Sequence, residues 1–383
     1  MVQSTKTTDR HRSTGPHRIL ALDGGGIRGI VSVEVLARIE TLLREDTGDS
    51  DLLLGDWFDL IAGTSTGAIT AALLATGHSV RDVQRFYEGE PAELFDPSEW
   101  HERLYRKYDS GYFARRLQEI FGAETTLGSG SIRCLLLLVL RNVTTDSPWF
   151  LTNNPAAKFN DPSLPACNLQ IPLWQLVRAS TAAPTYFDPE VIEVGEETFV
   201  FGDGGLTGYS NPAFKAFLMA TVEPYRLSWP TGPERMLLVS IGTGARCQAD
   251  EDLRPRDMHL WYHAQTLPFA LMSAARDRQD LLCRVFGDCL AGPPIDEEVG
   301  DLIGAAGPVD PKLFTYLRYD VPLTPEGLRG IGCGHIDPGR ITTLSDTDTL
   351  DDLRAVGQAL GARRVQRAHF GRFLAASHGS RAP

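Results

Sequence analysis

The chain has no long apolar run. Its longest strongly apolar stretch, Cys134 to Leu140, is far too short to span a bilayer and reads as a buried strand. Residues 1–17 are polar and lack the apolar core of a signal peptide, so they read as a disordered tail. Basic charge is also scarce: 37 Lys and Arg stand against 49 Asp and Glu, a formal net charge of −12. That balance argues against binding polymeric nucleic acid, although a small nucleotide or a membrane can still be met by a local patch. Six cysteines (Cys134, Cys167, Cys247, Cys283, Cys289, Cys333) show no C-x-x-C spacing. They read as free thiols of a reducing cytosol, not as a disulfide framework or a zinc site. The histidines form no H-E-x-x-H or similar cluster, so no metal and no cofactor is expected.

What is present is a layered pattern. The 383 residues are 42% hydrophobic, enough for one large domain or two small ones. A strand at Arg18–Leu22 runs into the loop Asp23-Gly24-Gly25-Gly26-Ile27-Arg28-Gly29. A helix follows to about Glu45, with Val31, Val35, Ile39 and Leu42 on one stripe. Further strands are expected within 57–62, 132–142, 197–202, 235–241 and 314–320. Helices are expected over 68–74, 172–182, 210–220, 260–286 and 348–374, and 79–122 reads as helical and irregular. The breaker-rich stretches 143–165 and 291–312 read as surface loops or lids. Strands alternating with helices predict α/β layers around a mainly parallel sheet. We read one domain over 18–376, more helical from about residue 250.

Three short motifs carry chemistry. Ser65 stands in Gly63-Thr64-Ser65-Thr66-Gly67, between an apolar strand and a helix. G-x-S-x-G in that context is a nucleophile elbow, which presents the hydroxyl at a helix N-terminus. The loop Gly24–Gly29 fits G-x-G-x-x-G. A dinucleotide-binding reading would need a second strand ending in an acid some twenty residues on, and the candidates Glu45, Asp46 and Asp49 lie in a polar turn. The other readings are an anion cradle, with backbone N–H groups and Arg28 facing an oxyanion, or a structural turn. Asp203, in Phe201-Gly202-Asp203-Gly204-Gly205, ends a strand and is expected at the same sheet edge as the elbow; an ordinary Asp-Gly turn is the alternative. A triad of Ser65, Asp203 and His335 fits the α/β-hydrolase order, but only two strands precede Ser65 and His335 lies in a glycine-rich turn.

In this order the three motifs resemble the patatin-like phospholipase family. Ala182-Ala183-Pro184-Thr185-Tyr186-Phe187 and Ile241-Gly242-Thr243-Gly244 also look like family segments. The resemblance implies a three-layer α/β/α fold with a Ser-Asp dyad at the edge of its central sheet. It implies that Ser65 is the nucleophile and Asp203 its base, without histidine. Gly24, Gly25 and Gly26 would supply oxyanion N–H groups with Arg28 in support; Gly29, Gly63, Gly67, Gly204 and Gly205 complete the motifs. The substrate implied is membrane phospholipid, hydrolysed from the cytoplasmic side at the inner face of the cell membrane.

A free aspartate, with a pKa near ~3.9, is too weak a base for this work near neutral pH. The dyad therefore needs a site sheltered from water, which an acyl chain would help to provide. The loop spacing and Ile19-Leu20-Ala21-Leu22-Asp23 also look similar to the bacterial effectors of this family, and that resemblance implies, as an alternative, a phospholipase that degrades the inner membrane in antiphage defence once a cyclic oligonucleotide activates it. Asp277-Arg278-Gln279-Asp280 offers such a protein a receptor or homo-oligomer surface, or is a solvated helix face. A lipid-binding module without activity is a third reading. Leu94, Phe95, Trp100, Arg103, Leu104, Tyr105, Arg106 and Lys107 form an aromatic-basic stretch suited to a membrane interface or to an amphipathic core helix.

Overall fold

Near-continuous apolar runs, such as Leu135–Leu140 and Met236–Val239, build strands buried on both faces. The computed structural model describes residues 15–89, 110–184, 187–245, 254, 258, 260–341 and 349–374. Among them nine strands form one sheet: β1 His17–Leu22, β2 Leu60–Thr64, β3 Leu135–Asn142, β4 Ser147–Thr152, β5 Glu190–Val194, β6 Glu197–Asp203, β7 Met236–Ile241, β8 Asp288–Ala291 and β9 Thr315–Tyr319. Their order is β5-β6-β3-β2-β1-β7-β9-β8, with β4 also on β3. The pairings from β3 through β2, β1, β7 and β9 to β8 are parallel. Those of β4, β5 and β6 are antiparallel.

The two-residue period sorts the core. Leu20, Leu22, Leu136, Leu138 and Val239 pack on one face with the helices Gly29–Thr47, Thr66–Ala75 and Leu350–Arg364. Ile19, Ala21, Leu60, Leu135 and Leu137 pack on the other with Ala213–Thr221 and with Cys283 of Leu260–Phe286. The result is the expected three-layer α/β/α arrangement. Among the described residues no helix is long and apolar enough to cross a membrane.

The departures have local causes. The stretch 143–165 contains β4, because Pro148, which reads as a breaker, lies on a strand with only one partner. The short strands β5 and β8 were not expected. The helix expected over 348–374 is two, Leu350–Arg364 and Arg367–Leu374, since Val365 turns extended (φ −80°, ψ 112°) and buries its side chain. The first strand begins at His17, one residue earlier than expected. Residues 1–14 of the expected tail, the stretch 90–109 with its aromatic-basic cluster, and Cys247 lie outside the described residues.

Two glycines set how closely β2 and its helix approach β1. A Cβ on Gly63 would collide with the Gly67 carbonyl oxygen, and one on Gly67 with the Leu22 carbonyl oxygen. Both obstacles are backbone and have no rotamer to yield. Gly67→Ala is expected to lower stability by about 2 kcal/mol or more, read as a lower urea midpoint. Gly371→Ala, on an exposed helix position with open space around it, is expected to gain about 1 kcal/mol. Equal midpoints for the two variants would contradict this account.

Candidate active site

Ser65 and Asp203 meet because two strand ends share one edge of β3. β4 occupies Leu137–Asn142 along one edge of that strand. β2 pairs with Leu135–Val139 and β6 with Leu140–Asn142, so both must take the other edge. β2 runs parallel to β3 and stops with Thr64 opposite Val139; β6 runs antiparallel and stops with Asp203 opposite Leu140. The two strands thus arrive end to end. The sequence places Asp203 at a strand end on the elbow's side of the sheet without giving that strand a direction. It is the antiparallel course of β6 that delivers the carboxylate there.

Contacts at the junction are tight. A Cβ on Gly204 would strike the Val139 carbonyl oxygen. Ser180 donates its hydroxyl to that same oxygen at 2.7 Å and accepts the Ser65 N–H at 3.0 Å. Ser65 sits at φ 54°, ψ −126°, a conformation that costs a non-glycine residue about 1–3 kcal/mol and is held by its surroundings. Its Oγ donates to Asp203 Oδ2 at 2.7 Å. Asp203 Oδ1 accepts the Gly205 N–H at 2.6 Å. Burial pushes the Asp203 carboxyl up to about 6, against the pull of these two donors. His335 is exposed in a turn after Gly330 and takes no part in this pair.

The glycine loop passes beside Ser65. A Cβ on Gly24 would stand 3.1 Å from Ser65 Cβ. Gly24 departs from the expected donor role, because its N–H is given to Ser210 O at 2.9 Å; what it contributes is clearance. The Gly25 N–H reaches Thr66 Oγ1 at 3.2 Å, a long bond. Gly26, at φ 59°, opens the turn Gly26–Arg28, and the first N–H of a helical turn has no acceptor within it. Arg28 donates to Gly244 O at 3.2 Å, and Thr243 donates to Gly24 O at 3.3 Å. Gly29 lets the helix approach Tyr87.

Behind the loop lies a buried ion cluster. Arg318 donates to both oxygens of Asp23 (3.1 and 2.6 Å), to Asp320 at 2.6 Å and to Ser240 at 2.7 Å. Burial raises the Asp23 carboxyl while the Arg318 guanidinium opposes that rise. Ser180, Ser210, Arg318 and Asp320 escaped the sequence reading. Ser180, at the end of a helix, and Ser210, in a bend, carry no local signal. Arg318 and Asp320 did carry one: opposite charges on either side of Tyr319, one in a largely apolar strand and one just past its end, are the mark of a buried pair. The expected surface at 277–280 is half internal. Gln279 and Asp280 are buried, and Asp280 pairs with Arg284 and accepts from Tyr316, whereas Asp277 and Arg278 face solvent.

The sequence profile described as patatin-like phospholipase matches residues 20–217. The chain belongs to the patatin-like phospholipase family. A cGAMP-activated phospholipase of Vibrio cholerae is 33% identical over 208 residues, 51% of this chain and 56% of that protein. Another, of Escherichia coli, is 30% identical over 274 residues, 67% and 72% of the two chains. Patatin-17 of Solanum cardiophyllum is 29% identical over 260 residues, 63% and 64%. The chain thus spans little more than half the length of the Vibrio relative. The patatin-like span includes Ser65, Asp203 and the glycine loop, and excludes Arg318.

A carboxyl that ionises near 4 in the unfolded chain and near 6 in this site holds its proton more tightly when folded. The folded state is therefore favoured at low pH and loses that contribution as pH rises from about 4 to about 6. Asp203→Asn keeps the shape without the charge. At pH 8 it is expected to be more stable than the wild type by up to about 2 kcal/mol, an advantage that shrinks by pH 5. Thermal melts at both values check this; an Asn variant less stable at pH 8 contradicts it.

Proposed function

We propose that this patatin-like protein is a serine acyl hydrolase that releases fatty acids from membrane phospholipids, with Ser65 as nucleophile and Asp203 as base. The observation that carries the proposal is the 2.7 Å bond from Ser65 Oγ to Asp203 Oδ2 at a strained elbow. As Ser65 Oγ bonds to the ester carbonyl carbon, its proton passes to Asp203. The carbonyl oxygen, now negative, is taken by the glycine loop, with Gly26 and Gly25 as donors and Gly25 giving up its long bond to Thr66. Asp203 then protonates the departing lysolipid oxygen and the ester bond breaks. Water attacks the acyl-serine, Asp203 takes the water proton and returns it to Ser65 Oγ, and the fatty acid leaves. Each oxyanion donor contributes about 3–4 kcal/mol of barrier lowering.

The lipid substrate suits the electrostatics. A carboxyl raised to about 6 works as a base at neutral pH, and an acyl chain filling the site keeps water from lowering it again. Ser65→Ala and Asp203→Asn are each expected to cut fatty-acid release from phosphatidylglycerol vesicles by about a thousandfold. In the wild type kcat/KM should climb with pH through about 6 and level off above it, because only the carboxylate accepts a proton. Either variant keeping near-normal turnover, or a flat profile from pH 5 to 8, defeats the assignment.

A second reading concerns control. Two bacterial relatives bear the name cGAMP-activated phospholipase. In that reading a cyclic oligonucleotide switches the protein on, with self-association as part of the response, and the activated protein degrades the inner membrane in antiphage defence. Hydrolysis measured with and without a panel of cyclic di- and trinucleotides tests it. Stimulation of tenfold or more by one member, equivalent to about 1.4 kcal/mol of coupling, is expected; full activity without any of them contradicts it.

A further inference from the structure

We infer that Arg318 is a positioning residue for the glycine loop, supplied by a strand outside the part of the chain that the family profile matches. The inference rests on the reading of Ser65 as nucleophile. β9 is not a neighbour of β1, because β7 lies between them. The register nevertheless puts Ala21, Ser240 and Arg318 in one row across the three strands. In-register residues share a face. Ala21 and Ser240 are small, so the long Arg318 side chain crosses the intervening strand, hydrogen-bonding Ser240 Oγ on the way. It closes on Asp23, the last residue before Gly24, with two bonds. Only a planar guanidinium makes that two-point contact; an ammonium makes a point contact.

The same guanidinium holds Asp320, whose other oxygen accepts the Gly244 N–H at 3.0 Å. Gly244 O in turn accepts from Arg28, and Thr243 donates to Gly24 O. Both ends of the glycine loop are thus tied to one buried cation, at Asp23 directly and at Arg28 through the Gly244 turn. Burying three charges is a poor way to stabilise a fold, since apolar side chains of similar volume do as well. What the cluster provides is a fixed direction for the loop N–H groups, and displacements near 1 Å there cost rate heavily.

The test compares wild type, Arg318→Lys, Asp23→Asn and the double variant in two reactions. One is turnover of p-nitrophenyl butyrate. The other is the rate of Ser65 labelling by a fluorophosphonate, whose phosphoryl oxygen occupies the position of an ester oxyanion. Arg318→Lys is expected to lower both kcat and the labelling rate by about 30-fold, with KM changed less than about twofold. Asp23→Asn should do the same, and the double variant should be no worse than either single one, because both act through one bond. A lower melting temperature with kcat and labelling within about twofold of wild type would make Arg318 a structural residue only and overturn the inference. Additive losses in the double variant would overturn it too. Should Arg318→Lys fail to fold, Asp23→Asn decides alone: unchanged labelling overturns the inference. A wild type that does not label at Ser65 defeats the nucleophile reading, and the inference with it, and so differs from a labelling wild type with an indifferent Arg318.

Discussion

One edge of β3 accommodates two strand ends, and the rest of the site follows from that constraint. β2 leaves the edge at Val139 and β6 takes it up at Leu140. No residue is skipped between them, so the chain leaving each strand must turn at once. On the β2 side the turn is the elbow with Ser65 at positive φ. On the β6 side it is Asp203-Gly204-Gly205, where the Val139 carbonyl oxygen leaves no room for a side chain on Gly204. The carbonyl left between the two strands is capped by Ser180, which also holds the Ser65 N–H. A hydroxyl and a carboxylate in hydrogen-bond contact are therefore a product of sheet register.

Burial then gives this contact its chemistry. The layers on both faces of the sheet keep water from Asp203, and the carboxyl rises to about 6. The effect is unfavourable for the fold and favourable for a base, the usual opposition at a working site. The loop facing the pair is held differently. Its backbone is fixed at Gly24 by Ser210 and Thr243, its Arg28 side chain by the Gly244 carbonyl, and its Asp23 carboxylate by Arg318. The Asp203 carboxyl is thus tuned by burial that outweighs its two hydrogen-bond donors, and the loop is stiffened by a network of bonds.

Much of this was legible in the residues. The strand-turn-helix around Ser65 and the apolar stripe Val31, Val35, Ile39, Leu42 rest on local rules, and the structure follows them. The motif puts Asp203 at a strand end and leaves the direction of that strand open, because a strand's direction in a sheet is a long-range property that no local pattern encodes. Pro148 hid β4 for a related reason: proline breaks a central strand and is tolerated on an edge, and edge position is decided by distant segments. Gly24 was assigned a donor role that Ser210, far along the chain, already claims. Arg318 was visible only as a charge in an apolar strand, with nothing to say which strand it would cross.

The account stands or falls on the loop and the pair facing one reacting centre. A crystal structure of the protein labelled by a fluorophosphonate measures this directly. The account predicts phosphorus on Ser65 Oγ, with its free oxygen about 3 Å from the Gly25 and Gly26 N–H groups and Asp203 still beside Oγ. An oxygen turned away from the loop, or a label on another residue, would contradict it.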